Sequence, residues 1–290
     1  MSTSQDLSGK TYVVTGANSG IGLAAATNFA SRGATVALVC RSETRGREAV
    51  TNIIAATGNP EVRLYLADFS LMSSVSKVAD TLLADHPKID VLCNNAGGAN
   101  GPHTVTTEGF ETTFVTNHLS GFLLTSKLLP AITKAAETNL ARVVFTSSYG
   151  HFNSPLDFAD LNLQKDYTPL KAYGRSKLMN LLIARELQKR HGHQQLMASS
   201  FHPGAVRTPI WGKGSSVGRV LGIVLYPFMV NIEKGADTFI WLASSADKES
   251  VQAEGHYFYK RSRARIAAFA TDEAAEKLWQ TSMQLIAPYL

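Results

Sequence analysis

Strand-like and helix-like segments alternate along almost the whole of this 290-residue chain. That alternation predicts an α/β fold, a doubly wound parallel sheet of about seven strands with helices on both faces. Two further observations agree. The first strand candidate runs straight into a glycine-rich turn, Thr15-Gly16-Ala17-Asn18-Ser19-Gly20-Ile21-Gly22, and behind the turn comes an apolar, Ala-rich stretch with no helix breaker. A strand, a tight turn and a helix start in that order open a phosphate-binding unit of such a sheet.

In chain order, the strand candidates are 11–15, 35–40, 62–66, 89–93, 141–146 and 196–201, with a weaker one at 256–259. Each is a short β-rich run such as Thr-Val-Ala-Leu-Val-Cys at 35–40. Between and after them, helical periodicity covers 20–31, 42–57, 71–85, 108–137, 172–190, 234–245 and 272–286. No repeat, low-complexity tract or linker divides the chain, so residues 1–290 read as one domain. Two stretches break the rhythm, 149–171 and 204–232, and each follows a strand, where such sheets bind ligands. The second is rich in apolar residues, among them Ile210, Trp211, Leu221, Tyr226 and Phe228, and reads as a cover over a substrate pocket.

Composition excludes several function classes. The chain is 44% hydrophobic and 18% charged with a net charge of +5, and its Lys and Arg residues are scattered. The densest basic cluster, Lys260 to Arg265, has no aromatic platform beside it, so a solvated loop is expected and no nucleic-acid partner. The polar N-terminal residues predict no secretory signal, and no apolar run reaches the roughly 20 residues of a membrane span. The nearest such run, 217–230, is a candidate for peripheral membrane contact. Cys40 and Cys93 end the second and fourth strands. With the first strand between them they would sit about 10 Å apart, too far for a disulfide. Reduced thiols and a cytoplasmic location are expected.

A glycine loop alone is weak evidence, because many nucleotide-binding proteins have one. The series that follows it is specific. Asn94-Asn95-Ala96-Gly97 comes after the fourth strand, and Asn117 sits in Thr-Asn-His-Leu-Ser-Gly-Phe. Ser147-Ser148 ends the fifth strand, Tyr173-Gly174-Arg175-Ser176-Lys177 opens the next long helix, and His202-Pro203-Gly204-Ala205-Val206-Arg207-Thr208 follows the sixth. With these five motifs in order, the whole chain resembles the short-chain dehydrogenase/reductase family and its Rossmann-type fold. Thr-Asn-His-Leu, the Ala-Tyr-Gly-Arg-Ser-Lys-Leu helix start, Glu233-Lys234-Gly235-Ala236 and Gly255-His256-Tyr257-Phe258 resemble its retinol-dehydrogenase-like, carbonyl-reductase branch.

Tyr173 and Lys177 are four residues apart on a helix, so they share one face. A free phenol, with a pKa near 10, is a poor acid or base at pH 7. An ammonium about 4 Å away at an effective dielectric near 20 is worth roughly 4 kcal/mol, enough to lower that pKa by about three. The phenol would then work near neutrality as a general acid/base. The resemblance implies that Ser148 holds the substrate oxygen, with Ser147 as the fallback, and that Asn117 helps hold a water relay to Lys177. It implies a catalytic tetrad of Asn117, Ser148, Tyr173 and Lys177. The 25-residue gap between Ser148 and Tyr173 is long for the family and implies an inserted loop at about 150–170.

The resemblance also places Gly16, Asn18, Ser19, Gly20, Ile21, Gly22, Asn94, Ala96, Gly97, Tyr173, Lys177, Pro203, Gly204 and Val206 along a nicotinamide dinucleotide. Asp68 would touch its adenine, or cap the helix at 71–85, or do both, and Thr208 would bond the carboxamide. Cofactor choice follows from charge. An acidic residue ending the second strand would bind ribose hydroxyls and repel a 2′-phosphate, whereas this chain has neutral Cys40 followed by Arg41 and Arg45. Guanidinium forks suit a phosphate, so NADP(H) is expected. His191-Gly192-His193 lacks companion ligands, and no metal is expected. His118 and His202 read as structural residues, and His151 stands near enough to Ser148 to line the pocket.

The expected activity is hydride transfer between NADP(H) and a carbonyl or alcohol, with a small hydrophobic ketone, aldehyde or alcohol as substrate. Two other readings stay open at this stage, a carbon–carbon double-bond reductase resembling protochlorophyllide reductase and a non-catalytic NADP-sensing protein. The oligomeric state is homodimer or monomer. Relatives often dimerise through helices near 108–137 and 172–190.

Overall fold

The computed structural model of the chain describes residues 5–206 and 230–290. Its strands are β1 (Thr11–Thr15), β2 (Thr35–Cys40), β3 (Val62–Leu66), β4 (Val91–Asn94), β5 (Ala141–Thr146), β6 (Leu196–Phe201), β7 (Tyr257–Tyr259) and β8 (Ser262–Arg263). They form one sheet in the order β3-β2-β1-β4-β5-β6-β7-β8, parallel except for β8. The chain works outward from β1 to β3, then returns to β1's other side at β4, so the switch point lies between β1 and β4. Eight described strands exceed the expected seven because Lys260 and Arg261, both at positive φ, turn β7 back into β8. The basic cluster is therefore partly strand, and Arg261 pairs with Asp237 there.

Successive residues of each strand face opposite layers. In β1, Val13 enters one core with Leu92, Val143, Phe122 and Leu182, while Tyr12 and Val14 enter the other with Leu38, Phe29 and Phe239. The first layer carries α3 (Met72–Asp85), α5 (Ser120–Ala136), α6 (Pro169–His191) and the C-terminal helix α9 (Asp272–Ile286). The second carries α1 (Gly20–Ser31), α2 (Glu43–Thr57) and α7 (Ile232–Ser244). The short helix α8 (Lys248–Val251) follows α7. Local chemistry sets the helix starts. Thr168 accepts from Lys171 N at 3.1 Å with Pro169 next in line, Asn231 accepts from Lys234 N at 2.9 Å, and Thr271 accepts from Ala274 N at 3.2 Å.

Two elements depart from the sequence expectation. The helix expected over 108–137 begins with α4 (Thr112–Phe114), passes through a π-helical turn (Val115–Leu119) and continues as α5. Residue 111 ends the loop, and its carboxylate accepts from Thr113 N and Phe114 N at 2.8 and 2.7 Å. Asp68 does not cap α3. Its Oδ1 accepts from Ser70 N and Ser70 Oγ, and the amides of Met72 and Ser73 are instead capped by Glu108, distant in sequence, at 2.6 and 3.0 Å.

The inserted stretch after β5 begins with a short 3₁₀ turn (Tyr149–Asn153) and is pinned at both sides. Arg175 donates to the carbonyls of Pro155 and Asp160, and Tyr167 Oη donates to Gly101 O. Both cysteines are buried free thiols on opposite neighbours of β1. Among the described residues no helix is long and apolar enough to cross a membrane. The candidate cover at 204–232 lies, from residue 207 to 229, outside the described residues, and with it the candidate membrane contact at 217–230 except its last residue.

Candidate active site

A cleft of about 430 Å³ opens at the C-terminal ends of β1, β2, β4 and β5. Gly16, Asn18, Ser19, Gly20, Ile21 and Gly22 form one wall, and Arg41, Arg45 and Asp68 line it beside β2 and β3. Ala96 and Gly97 come from the segment after β4, Tyr173 and Lys177 from α6, and Pro203, Gly204 and Val206 from the segment after β6. The packing of the glycine wall is tight. A Cβ on Gly22 would lie 2.5 Å from Gly16 O and 2.6 Å from Asn95 Nδ2, so α1 can approach β1 this closely only without a side chain there. Ser19 precedes α1 without a side-chain cap, which leaves the first amides of that helix turned to the cleft.

The arginines are exposed, and neither forms an ion pair with a described residue. Beside them Cys40 is neutral, its thiol pushed up to about 11 by burial against the opposing pull of the Ala17 and Asn18 amides. A negative group entering this corner would meet two free guanidiniums and no carboxylate from β2.

Four side chains expected to act together converge where α6 passes the end of β5. Lys177 is buried, its Nζ donates to Thr146 O at 3.1 Å, and it lies 5.5 Å from the centroid of the Tyr173 ring. The Ser148 side chain stands beside the Tyr173 hydroxyl, where it works to lower the phenol's pKa. Asn117 sits in the π-helical turn. Its Oδ1 accepts from Gly98 N at 2.9 Å, and its Nδ2 donates to Gly98 O at 2.8 Å and Ser176 Oγ at 2.9 Å. A Cβ on Gly97, at φ 151°, would come within 2.8 Å of Asn117 Oδ1 and 3.5 Å of Lys177 Nζ, so the loop, the amide and the ammonium occupy one small volume. The Asn117 amide is thus spent on the loop and on α6.

The electrostatics correct one expectation. Burial drives Tyr173 above its ordinary value, with the Ser148 hydrogen bond opposing, and pushes Lys177 down to about 8. Both groups share one desolvated wall, where any net charge costs free energy, so the chain by itself does not bring the phenol to neutrality. The ammonium also gives a hydrogen bond to Thr146 O.

Adjacent residues divide by strand parity. Ser147 turns inward and donates to Lys177 O at 2.7 Å, while Ser148 faces Tyr173, which favours Ser148 of the two serines. Asn94, expected along the cofactor, faces the other way, with Nδ2 donating to Thr125 Oγ1 at 2.8 Å beneath α5. Its neighbour Asn95 lines the cleft instead. Asn95 Nδ2 donates to Thr15 O at 2.9 Å, and Thr15 Oγ1 accepts from Asn95 N and Ala96 N at 2.9 and 2.8 Å. Thr15 and Asn95 thus tie β1 to β4 at the switch point. Sequence reasoning missed both, because β4 is buried along its whole length and shows no alternation that tells which asparagine turns to the cleft.

His151 is fully buried and does not line the cleft, with Nδ1 2.7 Å from Ser148 O and Nε2 accepting from Ala267 N. Thr208 lies outside the described residues.

Fold and cleft define an oxidoreductase that acts on alcohol or carbonyl groups with a nicotinamide cofactor, and the chain belongs to the short chain dehydrogenase family, whose model matches residues 10–216. It falls close to the retinol-dehydrogenase-like branch. Retinol dehydrogenase 12 of Mus musculus is 39% identical over 285 residues, covering 98% of this chain and 88% of that protein. A Streptomyces sp. (strain C5) protein, provisionally named daunorubicin C-13 ketoreductase, is 38% identical over 95% of this chain and 92% of its own. Among solved structures, a protein from Mycobacterium Paratuberculosis superposes with a TM-score of 0.77 at 31% identity, covering 97% of this chain and 95% of that one.

Proposed function

We propose that this protein is an NADP(H)-dependent oxidoreductase that moves a hydride between the nicotinamide and a hydrophobic ketone, aldehyde or alcohol, with Tyr173 as general acid/base. The observation that carries the reading is one cleft lined by Arg41 and Arg45 beside β2, neither paired with a described residue, and by Tyr173 and Lys177 beyond β5, with Ser148 beside Tyr173. The residues present fit a phosphorylated dinucleotide. The glycine wall leaves no room for a Cβ at Gly22, the first amides of α1 carry no side-chain cap, and Arg41 and Arg45 have no competing carboxylate partner among the described residues.

When bound, the nicotinamide supplies the hydride for reduction and takes it in oxidation. In reduction, the Tyr173 hydroxyl gives its proton to the carbonyl oxygen as the carbon accepts the hydride, and in oxidation it takes the hydroxyl proton back. Ser148, beside the Tyr173 hydroxyl, orients the substrate oxygen. Lys177 holds positive charge beside the phenol, and Asn117 is the candidate water holder behind it. Exposed Tyr149, next to Ser148, and the apolar composition of 207–229 support a lipophilic substrate. α9 packs over α6 and sets Trp279 edge-on to Phe122 of α5, which covers a face relatives use to dimerise and supports a monomer. Buried free Cys40 and Cys93 support a reducing, cytoplasmic setting.

The test is steady-state oxidation of NADPH and NADH against lipophilic and small charged carbonyls. NADPH with lipophilic carbonyls is expected to be the productive combination, and Tyr173→Phe is expected to lower kcat by about 10²–10⁴-fold. Turnover of small charged carbonyls alone, or full activity in Tyr173→Phe, would sink the reading.

A further inference from the structure

Ser148 is held from behind by a buried histidine. The serine follows β5 in extended conformation and opens the 3₁₀ turn Tyr149–Asn153. Its Oγ accepts from Gly150 N at 3.2 Å, which leaves its own hydrogen free to be donated. Its carbonyl oxygen meets residue 151 twice, accepting from the backbone N–H at 3.2 Å and lying 2.7 Å from ring Nδ1.

The far side of the ring decides its tautomer. The backbone N–H of Ala267, between β8 and α9, can only donate, and it points at His151 Nε2 from 3.3 Å. Nε2 is therefore the bare nitrogen, and Nδ1 carries the proton given to Ser148 O. Burial agrees, because it lowers the imidazole's pKa and keeps the ring neutral. Phe152 lies 4.2 Å from the ring by centroids and Tyr257 meets it edge-on at 5.0 Å, so its plane is fixed as well. His151, Tyr257 and Ala267 are all buried.

We infer that His151 is a positioning residue for Ser148, fixing its carbonyl and through it the direction of its hydroxyl. The inference rests on the reading of Ser148 as the group that orients the substrate oxygen. The turn has little slack against α6. A Cβ on Gly150 would lie 3.6 Å from Tyr173 Cδ1, and one on Gly174 would lie 2.6 Å from Gly150 O. Without the imidazole, the peptide after Ser148 is free to rotate, and the hydroxyl leaves the place where it and the Tyr173 hydroxyl meet one substrate oxygen. Such a misplacement costs rate. It leaves cofactor binding alone, because His151 does not line the cleft. Through Ala267, the segment that leads into α9 holds the ring that holds the serine.

The full-length chain as His151→Phe, His151→Asn, His151→Gln, Ser148→Ala and the double variant Ser148→Ala/His151→Phe tests this. The readouts are kcat and KM for a lipophilic carbonyl with NADPH, the Kd for NADPH and the melting temperature. His151→Phe keeps a ring and loses both bonds, and its kcat is expected to fall about tenfold. Asparagine carries its NH₂ on Cγ, as histidine carries Nδ1, so His151→Asn should recover most of that loss. Glutamine carries its amide one carbon farther, toward the Ala267 side, so His151→Gln should stay as slow as His151→Phe. Ser148→Ala is expected to lower kcat by about 10²-fold. Adding His151→Phe to it should cost less than about twofold more, because the histidine acts through that hydroxyl. NADPH affinity should stay within about threefold throughout. A further tenfold loss in the double variant overturns the inference, as does NADPH affinity falling in step with kcat. So does a His151→Asn no faster than His151→Gln, a comparison that decides the matter even where His151→Phe melts too low to assay. Unchanged kcat in Ser148→Ala would overturn the reading of Ser148 first, and this inference with it.

Discussion

Single residues at the end of β2 carry the cofactor question. Cys40 is buried and neutral where an acidic residue would take ribose hydroxyls, and Arg41 and Arg45 stand exposed beyond it. Arg41→Asp is expected to raise the KM for NADPH by about 10–100-fold while changing that for NADH little, since one charge-assisted contact to phosphate is exchanged for a repulsion. Equal loss for both cofactors in parallel titrations would show that Arg41 only supports the loop. This feature was legible in the sequence because charge at a strand end survives without coordinates. The orientation of Asn94 was not. It depends on which face of β4 residue 94 takes, and a register one residue different reverses it.

At the scale of elements, the end of α7 rests on a strand. Arg142 near the start of β5 donates to Leu242 O and Ser245 O, both at 2.6 Å, from a position only 7% exposed. A cation there meets the last carbonyls of α7 and the negative end of its dipole. Arg142→Met is expected to destabilise the protein by about 2–3 kcal/mol, read as a lower denaturant midpoint. Activity at low temperature should hold, because Thr146, at the site end of β5, stands about 13 Å along the strand. A midpoint equal to wild type would mean that solvent satisfies those carbonyls equally well. Helix boundaries at 20–31 and 272–286 were readable from periodicity and agree with the structure. The π-turn at Val115–Leu119 was not, because its apolar spacing passes for ordinary helix. Nor was the capping of α3 by Glu108, since no local pattern links a helix start to a carboxylate more than 30 residues away.

For the molecule as a whole, buried histidines set the acid limit. Burial pushes His118 down to about 3, and burial with the nearby His151 pushes His202 down to about 4. The unfolded chain protonates both near pH 6.5, so it binds more protons than the folded one between that pH and these lower values. Stability therefore falls as pH drops below about 6.5, by up to about 1.4 kcal/mol per pH unit for each ring. Chemical denaturation from pH 7.5 to 5 should show this slope, and His202→Gln should flatten it by about one ring's share. An unchanged slope in that variant would assign the acid sensitivity to other groups.

By itself the sequence determined the α/β class, the run of strands and helices, the glycine turn and the spacing of Tyr173 and Lys177, because all four are local properties of periodicity and residue type. Only the tertiary structure decided that burial, not the neighbouring ammonium, governs Tyr173 and Lys177 in the chain alone. It also decided that Asn95 and not Asn94 meets the cleft. Desolvation and hydrogen bonds between distant segments depend on what packs against a group, and a linear pattern holds no record of that. The retained signal was the chemistry of each residue; the fold supplied its surroundings.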